Sequence, residues 1–168
     1  MTTAIIAFDL ATVTGWAWAG HGEIHTGRID LRNTGAKSAN RHGAKFSEFV
    51  VSTTELLREV EPQIVYYEDA GSSARRTSLA QAELWFGWRA LLLGLCHELR
   101  IPVEPVNTST YKKEFGLAFR CGKDDVVREC TRRGIPVNDE NEADAVAILN
   151  VGLMAHGAVL SDFRYIKE

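Results

Sequence analysis

Ala4–Phe8 (AIIAF) is apolar without a break, and the run closes on a single acid, Asp9. Five consecutive apolar residues leave no side for water, so the segment reads as a fully buried strand at the centre of its sheet. A second run, Ile64–Tyr67, closes in the same way on Glu68. Two such strands commit the chain to a covered sheet, and the segments between them carry the helical patterns that can cover it.

After Asp9, a Thr/Gly turn is expected at Thr12–Gly15, then a second strand over Trp16–Ala19. Gly20-His21-Gly22 reads as a hairpin turn and Glu23–Leu31 as a third strand, which completes an antiparallel meander. Asn33–Gly43 is polar and reads as a loop. Phe46, Phe49, Val50, Leu56 and Leu57 form a helical stripe over about 44–60, ended by Pro62, and Gln63–Glu68 follows as a strand. Gly71–Ser78 reads as a basic loop and Leu79–Leu99 as a long helix. Ile101–Val106 is a strand with prolines near its ends, which places it near a sheet edge. Short helices are expected over Thr108–Phe115 and Gly122–Arg133. A last helix runs from Asn138 or Asp139 to about His156, with an acidic first turn suited to its N-terminus. With no linker or repeat, residues 1–168 read as one α/β domain. Its expected sheet is mixed and five-stranded, a three-strand antiparallel meander plus two parallel strands, flanked by helices.

Composition narrows the function classes. Hydrophobic residues make up 45% and charged residues 24%, the proportions of a soluble globular protein. No apolar run approaches the roughly 20 residues of a membrane helix. The start lacks a secretory pattern, so a cytoplasmic location (bacterial cytoplasm or phage-infected cell) and no membrane partner are expected. Cys96, Cys121 and Cys130 are odd in number, lack metal-ligand spacing and read as reduced thiols. A net charge of −3 argues against a protein that coats nucleic acid without specificity.

Asp144, in NEADAVAIL, adds a third acid beside an alanine-rich helix face that can approach a sheet closely. A single acid at a strand end most often faces solvent. Three acids from remote segments, all at the ends or edges of buried elements, are costly to gather unless a cation joins them. Oxygen ligands without histidine or cysteine suit Mg²⁺ or Mn²⁺ rather than Zn²⁺. Two such ions about 3.5–4 Å apart activate a water and stabilise the leaving oxygen in phosphodiester hydrolysis.

IIAFDLATVTGWAW, VYYEDA, SLAQAELWFGWRALL, PVNTSTYKKEFGLAFRCGKDDVV and NEADAVAIL occur in that order over nearly the whole chain. The set resembles the RuvC-like Holliday junction resolvases, phage-type members in particular, a branch of the ribonuclease H-like nuclease superfamily. The resemblance implies a ribonuclease H-like fold and a divalent-metal endonuclease that acts on branched DNA, with four-way junctions the expected partner, and works as a homodimer. It assigns Asp9, Glu68 and Asp144 as metal ligands and catalytic acids, served by two Mg²⁺ ions for which Mn²⁺ can substitute. The family's fourth acid falls three residues before Asp144, where this chain has Asn141; Asn141 or Asp139 is the expected fourth contributor, and Glu140 shares the face and can substitute. Asp69 should point away from Glu68 and serve a structural role.

Two other positions depart from the family. Leu10-Ala11 replaces the common Pro-Gly, and Gly71 stands where an aromatic residue commonly follows the second acid, which leaves strict junction preference open. Lys123 is expected near the scissile phosphate, as a lysine is in the relatives, and joins the catalytic set. Arg75, Arg76, Lys112, Lys113, Arg120 and Lys123 are the expected DNA contacts, whereas Arg132 and Arg133 read as solvated surface. Trp85, Phe86 and Trp88 belong to the core or to a dimer interface, because the long helix is apolar nearly all round. Actin-like ATPases also open on a strand, an Asp and a small-residue turn, but need two domains around their nucleotide; no nucleotide cofactor is expected. A catalytically inactive branched-DNA-binding protein on the same fold, and a broader flap or hybrid nuclease, remain alternatives.

Overall fold

The computed structural model describes residues 3–34, 41–69, 78–118 and 120–166. Its centre is β1 (Ile5–Asp9), every residue of which is buried. β1 pairs antiparallel with β2 (Val13–Gly20), which pairs antiparallel with β3 (Glu23–Asp30). On its other side β1 pairs parallel with β4 (Ile64–Asp69), and β4 pairs parallel with β5 (Val103–Asn107). The sheet order is β5-β4-β1-β2-β3-β6, with β6 (Arg164–Tyr165) parallel to β3.

The sixth strand corrects the five-stranded expectation. Two residues carry no readable periodicity, and β6 is held by tertiary hydrogen bonds: Arg164 N donates to the Gly22 carbonyl and Ile166 N to that of Ile24. A second correction concerns β2, which starts at Val13 and not at Trp16. Thr14 and Gly15 lie within the strand, opposite Ile29 and Arg28. The turn is shorter than expected and is closed by Thr14 Oγ1 donating to the Ala11 carbonyl at 2.8 Å. At the hairpin, His21 and Gly22 both take positive φ, 52° and 80°, the backbone of a type I′ connection. β5 occupies the sheet edge, where Pro105 lacks no partner for a missing N–H.

α1 (Arg41–Val60) and α2 (Leu79–Leu99) cover one sheet face. Phe8, Trp18, Phe49, Tyr67, Trp88 and Leu92 are buried there. Ser78 caps α2 by accepting from Gln81 N, and Trp88, Leu92 and Cys96 form its buried stripe. α3 (Thr108–Glu114), α4 (Lys123–Arg132) and α5 (Glu140–Ala155) lie on the other face. α5 is buried continuously from Glu142 to Asn150, and its alanines let it press against β1 and β2. At Gly15 the fit is closest: a Cβ there would stand 2.0 Å from the Asn141 carbonyl oxygen.

Burial raises the Cys96 thiol to about 11 and the Cys130 thiol to about 12, so both stay protonated. No helix among the described residues is long and apolar enough to cross a membrane.

Candidate active site

β1 and β4 run parallel, with Phe8 opposite Tyr67. The next residues, Asp9 and Glu68, therefore emerge side by side at the carboxyl ends of adjacent strands, where α/β sheets bind ligands. Asp144 approaches from the second turn of α5, and it and Asp9 are each only 7% exposed. The carboxyls of Asp9 and Glu68 are in hydrogen-bonding contact. The Tyr111 hydroxyl on α3 lies 3.4 Å from both Glu68 Oε1 and Asp144 Oδ1. Thr108 Oγ1 donates to the same Glu68 oxygen at 2.6 Å.

These surroundings oppose ionisation. Burial pushes the Asp9 carboxyl well above its usual range, and the charges of Glu68 and Asp144 push it further. Burial and then Glu68 raise Asp144 to about 6, while Lys123, Lys112 and the Tyr111 hydroxyl hold it back. Burial first, then the three acids, raises the Tyr111 hydroxyl as well, so it stays a donor. A buried cluster that resists carrying its own negative charge fits a hard cation, which would relieve the repulsion. The side chains as they stand are spread: among the described residues, no three His, Cys, Asp or Glu already converge on an ion position. The Tyr111 hydroxyl between Glu68 and Asp144 is part of that spacing.

Asn141 is half-buried one turn before Asp144, with its backbone against Gly15, the strand partner of Asp9. Asp139 is instead the N-cap of α5. Its Oδ1 accepts from Asn141 N and Glu142 N, each at 3.0 Å, and its Oδ2 accepts from Arg28 Nη1 at 3.0 Å. Burial pushes this carboxyl up, but those hydrogen bonds outweigh it and hold it low. As a fourth ligand it would have to loosen the cap. Glu140 is turned to Lys123, whose Nζ donates to Glu140 Oε1 at 2.6 Å. Asp69 pairs with Arg89 at 3.6 Å.

Lys123 stands beside the cluster, close enough for its charge to act on Asp9 and Asp144. Lys112 donates to the Cys121 carbonyl at 3.2 Å, and its charge also reaches Asp144. Lys113 is exposed, 4.0 Å from Glu114. Arg120 is exposed beside Cys121, Arg128 and Arg132. Arg132 and Arg133 are tied to Glu129. Arg75, Arg76 and Gly71 lie outside the described residues.

Sequence reasoning missed three residues. Thr108 and Tyr111 sit at i and i+3 on α3, a spacing that puts both on one face, but nothing local says that this face meets Glu68. Glu142, only 1% exposed, accepts from Asn138 N at 3.0 Å and from Thr26 Oγ1 at 3.3 Å, which fastens the start of α5. A cavity of about 710 Å³ lies at the other end of β1, between Trp16, Trp18, His25 and Glu59, and its lining does not include Asp9, Glu68 or Asp144.

The fold recurs in known structures. Thermus thermophilus RuvC superposes with a TM-score of 0.67 at 16% identity, over 94% of this chain and 98% of that one. The same protein in complex with Holliday junction substrate gives 0.71 at 15% identity, with the same coverage. The chain has the RuvC fold. The yeast mitochondrial Holliday junction resolvase Ydc2 shares this RuvC-like fold more distantly, with a TM-score of 0.54 at 11% identity over 88% of this chain and 77% of that one. No family model and no curated protein matches the sequence. The RuvC fold, a ribonuclease H-like architecture, therefore persists here at identities where sequence comparison finds no relative.

Proposed function

We propose that this protein is a divalent-metal-dependent, structure-specific DNA endonuclease that hydrolyses phosphodiester bonds at four-way junctions or related branched DNA. The observation that carries the reading is the meeting of Asp9, Glu68 and Asp144 at the carboxyl ends of β1 and β4, within a RuvC fold. Asp9, Glu68 and Asp144 would hold Mg²⁺ or Mn²⁺, with the Asn141 amide oxygen as a neutral fourth donor. Bound ions supply an activated water and stabilise the leaving oxygen. Lys123 and Lys112 bring positive charge to the rim, where a DNA phosphate would lie. A phosphate that takes Lys123 displaces Glu140, so substrate binding frees one acid at the edge of the site.

Cutting two like strands of a junction needs two copies of the site. Leu79, 77% exposed, and Phe86, 53% exposed, share the outer side of α2 with the exposed Ala90 and Gly94. Trp88 faces the core instead. This outer side is the homodimer surface in the present reading. Wild-type protein should bind a four-way junction at least about tenfold more tightly than duplex of equal length. Phe86→Glu should sediment as a monomer and lose that preference. Equal affinity of the wild type for junction and duplex would contradict junction recognition, and a monomeric wild type would contradict the dimer.

A further inference from the structure

Two hydroxyls on α3 touch the acid cluster, and neither belongs to the ligand set. β5 delivers them: its register sets Val106 beside Glu68 and Asn107 beside Asp69, and α3 starts at the next residue. Thr108 and Tyr111 are three residues apart and share a helix face. Both reach Glu68 Oε1, Thr108 Oγ1 at 2.6 Å and the Tyr111 hydroxyl at 3.4 Å. That leaves Glu68 Oε2 free of both. The Tyr111 hydroxyl is also 3.4 Å from Asp144 Oδ1. The tyrosine is 2% exposed and packed in the core with Val106 and Phe115, so its ring cannot swing away. A tyrosine carries one hydroxyl proton, and two carboxylates at equal distance compete for it.

We infer that Tyr111, assisted by Thr108, is the positioning residue of the site, fixing how the Glu68 and Asp144 carboxylates stand relative to one another. This rests on the metal-dependent reading above. The hydroxyl stands between an acid from the sheet and an acid from α5, and its one proton can serve either, so it couples the settings of two carboxylates that their own elements place independently. Without it, Glu68 keeps only the Thr108 bond and gains freedom that an incoming ion must remove. Hydrogen bonds that orient ligating side chains are worth about 10- to 100-fold in metal affinity.

The test is Mn²⁺ binding to the full chain by isothermal titration calorimetry, with ion-free thermal melts alongside. Tyr111→Phe should weaken Mn²⁺ binding by about tenfold or more, while cleavage at saturating Mn²⁺ recovers most of the wild-type rate. Unchanged affinity would reduce Tyr111 to a packing residue and overturn the inference. Tighter binding would overturn it too, by showing that the hydroxyl competes with the ion. If Tyr111→Phe does not fold, Thr108→Val carries the same test, with weakening expected and Thr108→Ser restoring the affinity. Asp144→Asn separates the two readings. If it binds Mn²⁺ as tightly as the wild type, or if the wild type does not bind, the metal site itself is wrong; if it loses Mn²⁺ while Tyr111→Phe does not, only the positioning role fails.

Discussion

Asp144→Asn should abolish cleavage and at the same time make the ion-free protein more stable at neutral pH. The Asp144 carboxyl is raised from 3.8 to about 6, chiefly by burial and then by Glu68. A raised acid binds its proton more tightly in the folded than in the unfolded state. Its contribution is therefore complete below about pH 4 and is lost as pH rises through about 6. That loss amounts to about 2–3 kcal/mol by pH 7. An amide at 144 keeps an oxygen for the Tyr111 hydroxyl and carries no charge, so the variant escapes the loss. Thermal melts of ion-free protein between pH 4 and pH 7 should show a falling Tm for the wild type and a flatter profile for the variant. Mg²⁺ should restore the wild type and leave the variant unmoved. A variant less stable than the wild type at pH 7 would mean that Asp144 supports the fold rather than straining it.

Gly15→Ala should be the most damaging glycine-to-alanine change among the described residues. The added Cβ would stand 2.0 Å from the Asn141 carbonyl oxygen and 2.2 Å from its carbon. Both are backbone atoms in the first turn of α5, so no side chain can rotate out of the way. Overpacking of this kind costs about 1–3 kcal/mol or more, which in a chain of this size lowers Tm by about 5–10 °C. The helix that must move carries Asp144, and Gly15 is the strand partner of Asp9. Cleavage should therefore fall by more than the melt explains, when both are measured well below Tm. An alanine variant with unchanged Tm and activity would show that α5 does not rest on β2 this closely.

Gly15 also shows why parts of the fold were hard to read. Thr12–Gly15 has turn composition, so the sequence alone places Gly15 in a turn. Its actual requirement is tertiary, the approach of the Asn141 backbone, which no local pattern encodes. β1 and α2, by contrast, were legible to within a residue, because an unbroken apolar run and a long periodic one follow from burial alone. Pro105 marked the edge strand for a local reason, its missing N–H. The three acids could be gathered from sequence because each closes or lines a buried element. Asp139 is ambiguous in sequence for the opposite reason: a cap residue and a ligand are both acids at a helix start. Only the hydrogen bonds to Asn141 N, Glu142 N and Arg28 distinguish them.

The most direct measurement is Mg²⁺-dependent cleavage of an end-labelled four-way junction, with a flap and a linear duplex as controls and Asp9→Asn alongside. The account predicts symmetric nicks at the junction that require Mg²⁺ or Mn²⁺ and fall by more than about a hundredfold in the variant, the loss of several kcal/mol of transition-state stabilisation. Comparable cutting of the flap would broaden the substrate to branched DNA in general. Tight junction binding without cleavage in either ion would contradict the account and leave a DNA-binding protein on a nuclease fold.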